Sequence, residues 1–206
     1  MTEITLLLEI LGTIAFSTSG AVVAIEKNMD IFGVIILGLT TALGGGIARD
    51  IIIGNVPPVA FTKIIYSIVA IATVVIYCLN FSKDRITKRM LRTIEVFDSI
   101  GLGVFSVVGV SITLTKFPND YFLAICVGVL NGVGGGVVRD LFADRTPSIF
   151  VKDFYATASL IGSIICTLLY LWLGPSISMI IGSLIIMFLR YFAIKRKWDL
   201  PKVIKK

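Results

Sequence analysis

Apolar residues gather in seven runs, at 4–25, 31 to about 54, 60–81, 93–115, 120 to about 142, 148–173 and 177–194. Each approaches the roughly 20 residues that a helix needs to cross a bilayer. The breaks between runs are short and built from charges or turn formers, such as Glu26-Lys27-Asn28, Pro57-Pro58, Lys116-Phe117-Pro118-Asn119 and Gly174-Pro175. The pattern predicts an all-α membrane protein with seven transmembrane helices. The first run follows Glu3 where a signal peptide has basic residues, and it outlasts an h-region, so it reads as a span.

The runs repeat. Gly44-Gly45-Gly46-Ile47-Ala48-Arg49-Asp50 returns as Gly134-Gly135-Gly136-Val137-Val138-Arg139-Asp140, at an offset of 90. At the same offset Asp30 matches Asp120 and Gly38 matches Gly128. At an offset of 89, Glu9 matches Asp98, Gly12 matches Gly101, Phe16 matches Phe105, Lys63 matches Lys152 and Tyr66 matches Tyr155. Each copy holds three runs, and because three is odd the second copy enters the membrane from the opposite face. The expected architecture is therefore two inverted three-helix repeats plus a seventh helix. The expected boundaries are a first repeat at 1–81, a basic connector at 82–92, a second repeat at 93–173, the seventh helix at 174–194 and a basic tail at 195–206. Inverted repeats place transport sites near mid-membrane, where the two halves meet. The unmatched seventh run reads as a peripheral addition for assembly.

Composition agrees with a membrane chain: of 206 residues 56% are hydrophobic and 16% charged, with a mean hydropathy of +0.97, against about 25% charged in soluble domains. Little length is left for a separate soluble domain. Histidine is absent, which removes histidine zinc sites, Ser-His and Cys-His nucleophiles and histidine proton relays. Cys78, Cys126 and Cys166 lie inside apolar runs without metal-ligand spacing and read as packing residues. No phosphate-loop or dinucleotide motif occurs, so the chain reads as no enzyme, with no catalytic residue and no tightly bound metal or cofactor.

The net charge of +6 belongs to topology, and no nucleic-acid partner is expected. Lys83, Arg85, Lys88, Arg89 and Arg92 follow the third run, and Arg190, Lys195, Arg196, Lys197, Lys202, Lys205 and Lys206 follow or end the seventh. With seven spans both segments share a side, which the positive-inside rule makes cytoplasmic, leaving only Arg49, Lys63 and Lys116 outside. The amino terminus is then expected outside and the carboxyl terminus in the cytoplasm.

Three glycines in a row cost helix stability at roughly 1 kcal/mol each relative to alanine. Gly44, Gly45, Gly46 and Gly134, Gly135, Gly136 therefore read either as kinks whose freed carbonyls line a wet cation path or as small-residue ridges for close helix packing. Arg49, Asp50, Arg139 and Asp140 follow within one turn, where buried membrane charges face a bundle interior. Neighbouring side chains diverge by about 100° on a helix, so these charges read either as cross-repeat pairs, Arg49 with Asp140 and Arg139 with Asp50, or as charges that mark helix ends at the head groups. Lys63 and Lys152 open the third run of each repeat, as pathway residues or as snorkelling anchors. Glu9 and Asp98 read as acidic vestibules or surface charges near the two faces.

The paired GGGxxRD motifs on the second and fifth spans, with Phe16-Ser17-Thr18-Ser19-Gly20 in the first, resemble the prokaryotic branch of the trimeric intracellular cation (TRIC) channel family, a branch that merges with bacterial proteins classed as glycine transporters. The resemblance spans about residues 5–170. It implies a homotrimer in the plasma membrane of a prokaryote, contacting lipid, with a pore in each subunit lined by kinked second and fifth helices. Monovalent cations, chiefly potassium with sodium as a further permeant ion, would pass through it. The glycine triplets would be the kinks; Arg49, Asp50, Arg139, Asp140, Lys63 and Lys152 are read from the residues themselves as candidate pore-lining or gating charges. The Lys-Glu-Val motif that animal members tie to phosphoinositide is absent. A secondary transporter of a small zwitterion such as glycine, and a non-conducting scaffold, are the other readings of the same residues.

Overall fold

A computed structural model describes residues 3–80, 88–151, 154–196 and 198, all of them in helices, turns or connecting segments, with no strand among them. The helices are α1 (Glu3–Glu26), α2 (Ile31–Ile52), α3 (Val59–Thr62), α4 (Ile65–Leu79), α5 (Lys88–Lys116), α6 (Tyr121–Phe142), α7 (Ser148–Val151) and α8 (Tyr155–Arg196). By length and apolar character α1, α2, α5, α6 and α8 are long enough to cross a membrane, and α4, at 15 residues, is shorter.

The third and sixth apolar runs, expected as continuous helices, are each broken. A short helix, α3 or α7, precedes the long one, with extended backbone at Lys63 and positive φ at Phe154 marking the breaks. The sixth and seventh runs form α8, which departs from helical geometry at Gly174, where φ is 75° and Pro175 follows. The two arms, 155–173 and 175–196, lie against each other: a methyl at Gly162 would strike Ile186, and one at Gly182 would sit 3.0 Å from Cβ of Cys166. A glycine suits this hinge because φ near +75° is strained for residues bearing a Cβ, and proline cannot donate to the preceding turn.

Local chemistry explains the helix ends. Asp30 and Asp120 cap α2 and α6 by accepting from Gly33 N at 2.7 Å and Leu123 N at 3.0 Å. Both helices leave through a left-handed residue, Gly54 (φ 67°) and Asp144 (φ 50°), with the matching bonds Asn55 N to Asp50 O at 2.7 Å and Arg145 N to Asp140 O at 2.9 Å.

Helices α1 and α5 bury most of their length and form the centre, while α2, α6 and α8 bury less than half. The α1, α2 and α4 helices pack as one group and α5, α6 and α8 as another, joined through α1 against α5 and α2 against α6. The contacts between groups are reciprocal. Phe105 covers Gly12 and Phe16 covers Gly101, with the two rings 5.3 Å apart. A methyl at Gly45 would strike the Asn131 carbonyl, and one at Gly135 would strike the Thr41 carbonyl. Thr41 and Asn131 are matched positions, as are the glycines, so residue i meets j while the counterpart of i meets the counterpart of j.

Candidate functional site: two buried arginine clusters

The triplets stay helical. Both α2 and α6 run through them without interruption, so no unwound turn releases carbonyls there, and the middle glycines let the two backbones touch. A methyl at Gly134 would lie 2.9 Å from Cα of Gly45. Gly46 differs: the nearest atom to a methyl there is Arg49 Nη2 at 3.9 Å, and the residue borders a cavity.

That cavity belongs to the first of two clusters. Arg49 Nη1 lies 3.1 Å from Glu9 Oε1 and its Nε donates to Asp50 Oδ1 at 2.9 Å. The Tyr66 hydroxyl donates to the other Glu9 oxygen. Asp50 Oδ2 accepts from Val59 N at 2.8 Å, tying α2 to the start of α3. All four side chains are buried, Arg49 being 3% exposed and Asp50 1%. The space they border, with Gly46 and Ala60, is about 30 Å³, room for a single water.

The second cluster repeats the plan. Arg139 Nη1 sits 2.5 Å from Asp98 Oδ1, and its Nε donates to Asp140 Oδ1 at 2.9 Å. Asp140 Oδ2 accepts from Ser148 N at 2.8 Å, tying α6 to α7. Tyr155, the counterpart of Tyr66, is buried at a position where a methyl on Gly136 would meet both its hydroxyl and Asp98. Two additions distinguish this half. Arg139 Nη1 also donates to Ser19 of α1 at 2.6 Å, and Arg190, from the last arm of α8, stacks on the Tyr155 ring at 4.8 Å. A cavity of about 110 Å³ borders Arg139, Asp140, Arg145 and Ser148.

The expected cross-repeat pairs do not form: each arginine takes the aspartate next to it and an acid from the first helix of its own half. The 100° argument applies to Cβ directions, but a guanidinium is long enough to turn its Nε back onto the following carboxylate, and its remaining nitrogens reach a second helix. Glu9 and Asp98 are correspondingly no surface charges, being 4% and 3% exposed. In a membrane such pairing is what makes buried charge tolerable. Lys63 is exposed at the end of α3. Lys152 lies outside the described residues, as do most of the basic connector and most of the tail. Sequence reading passed over Ser19 and Asn131 as site residues and counted Arg190 with the cytoplasmic tail charges. Arg190 carried a signal, an arginine between Leu189 and Tyr191 before the apolar run ends at Ile194, and it is 2% exposed. Cys78, Cys126 and Cys166 are free thiols.

Spanning helices wrapped around paired, buried charges define an integral membrane protein. The family model described as glycine transporter matches residues 6–81 and 95–171, and the chain belongs to that family. Its relatives include the UPF0126 membrane protein YvgT of Bacillus subtilis, 34% identical over 95% of this chain and 94% of the relative. Another is the UPF0126 inner membrane protein YadS of Escherichia coli, 35% identical over 94% and 93%. Among solved structures, one from work on conductance through TRIC cation channels is 33% identical with a TM-score of 0.84 over 97% of each chain. The TRIC trimeric intracellular cation channel orthologue from Rhodobacter sphaeroides is 28% identical with a TM-score of 0.87, over 96% of this chain and all of that one. The resemblance to the prokaryotic TRIC branch, drawn from the paired motifs, agrees with these matches.

Proposed function

We propose that the protein is a cation channel, permeable to potassium, with a pore in each subunit of a homotrimer. The observation that carries the reading is similarity over nearly the whole chain to TRIC cation channels. Geometry supports it: each arginine cluster borders a cavity, of about 30 Å³ at Arg49 and about 110 Å³ at Arg139. In this reading α8 contributes two spans and α4 one, making seven, and the halves 1–81 and 93–173 are inverted repeats, which the reciprocal Phe16–Gly101 and Phe105–Gly12 contacts support. The seventh span is then 174–194, and the segments 82–92 and 195–206 are cytoplasmic, with the amino terminus outside. The path runs along α2 and α6, past Gly46 and Gly136, with Arg49, Asp50, Arg139 and Asp140 as wall residues whose paired charges do not repel the ion, and with Lys63 and Lys152 at the third helices. The membrane is the plasma membrane of a prokaryote.

The family description favours a second reading, a carrier for glycine. Planar-bilayer recording of purified protein in a potassium chloride gradient separates them. Unitary currents reversing near the potassium potential are expected. Their absence, together with glycine uptake into vesicles, would establish the carrier.

A further inference from the structure

One charge pair has no counterpart in the other half. Arg145, in the loop after α6, lies with its Nη2 2.8 Å from Glu26 Oε1 at the end of α1, and both side chains are half-buried. Arg145 also forms part of the wall of the 110 Å³ cavity that leads to Arg139 and Asp140. The ion pair therefore sits at the mouth of that cavity. At the opposite mouth the matched positions are neutral, Asn55 and Thr115, and both border a pocket of about 420 Å³ in which the one charged lining residue among those described is Lys116.

The pair is not what shapes its loop. The loop at Gly54-Asn55 has the same left-handed residue as Asp144-Arg145. It also has the same backbone bonds, Gly54 N to Ile51 O at 3.1 Å matching Asp144 N to Leu141 O at 3.1 Å. It forms them with no charge pair at the equivalent site, where Lys116 Nζ donates instead to Ile53 O at 2.7 Å and Gly54 O at 3.1 Å. A half-exposed pair of this kind is also worth little to stability. What it does change is the field at the mouth. A bare guanidinium there would add to a face already rich in lysine and arginine by the orientation proposed above, and would repel an entering cation.

We propose that Glu26 sets the cation permeability of this mouth by neutralising Arg145, so that a cation meets no net charge as it enters toward Arg139 and Asp140. The inference rests on the channel reading. It makes Glu26 a selectivity residue that touches the path only through its partner, and it predicts a dependence on ionic strength that a packing role would not produce.

The test is unitary conductance of the full-length protein in bilayers of neutral lipid. In about 0.1 M potassium chloride Glu26→Gln is expected to lower conductance about 1.3-fold, the screened Boltzmann factor for one charge at ~10 Å in water with a Debye length near 10 Å. The double variant Glu26→Gln with Arg145→Gln restores it. In about 1 M salt, where the Debye length is near 3 Å, the difference disappears. Arg145→Gln alone, which leaves an acid at the mouth, is expected to raise low-salt conductance above wild type, and gives an answer even if Glu26→Gln fails to assemble. Wild-type conduction with both single variants unchanged at low salt, or a deficit that persists at high salt, overturns the inference and leaves the channel reading standing. A wild-type protein without cation currents overturns both.

Discussion

Arg49 is held by Glu9 across two helices, 3.1 Å apart, and the relationship is repeated by Arg139 and Asp98 in the other half. Each arginine thereby takes its acids from its own half, while Arg139 also donates to Ser19 of the other.

Removing one member of such a buried pair leaves charge uncompensated, at a cost of about 3–5 kcal/mol. Arg49→Gln is expected to destabilise the protein by that order, measured as thermal unfolding in detergent. Adding Glu9→Gln should recover part of the loss, giving a coupling energy of about 1–3 kcal/mol.

The same method tests whether the halves share these charges. Arg49→Gln combined with Asp140→Asn is expected to give additive losses within about 0.5 kcal/mol, because the two residues have no common partner. Mutual rescue would contradict the observed pairing.

The glycine triplets divide into two kinds. Gly45→Ala and Gly135→Ala drive a methyl into a backbone carbonyl of the facing helix, and overpacking of that kind costs about 1–3 kcal/mol, outweighing the ~1 kcal/mol gained in helix propensity. Gly46→Ala meets no atom closer than 3.9 Å, so it should keep or raise thermal stability while narrowing the cavity beside Arg49. Lower unitary conductance in a stable Gly46→Ala protein would mark this cavity as part of the path, and unchanged conductance would place the path elsewhere.

Orientation is open to labelling. In a cysteine-free background, a cysteine at Asn28 should react with an impermeant thiol reagent only from the cytoplasmic side, and one at Asn119 only from outside. The opposite pattern would invert the topology inferred from the lysine and arginine distribution.

That the chain is all-helical and crosses a membrane was legible in the chain itself, because a bilayer demands long apolar runs, and the repeated sequence keeps its glycines, caps and charges in step, as at Asp30 and Asp120 or Gly12 and Gly101. The burial of Arg49, Asp50, Arg139 and Asp140 was legible for a similar reason, since ionisable residues are rare enough in apolar runs to stand out. What they pair with was decided only by tertiary structure. Side-chain reach and the angle at which α1 meets α2, and α5 meets α6, bring Glu9 and Asp98 to the arginines, and neither quantity is written in the spacing of residues along one helix. The break at Lys63, the stacking of Arg190 on Tyr155 and the contact of Gly45 with Asn131 likewise depend on which surfaces meet after the helices pack. A periodic pattern reports the face that a residue occupies, and the partner on the other side of that face comes from elsewhere in the chain.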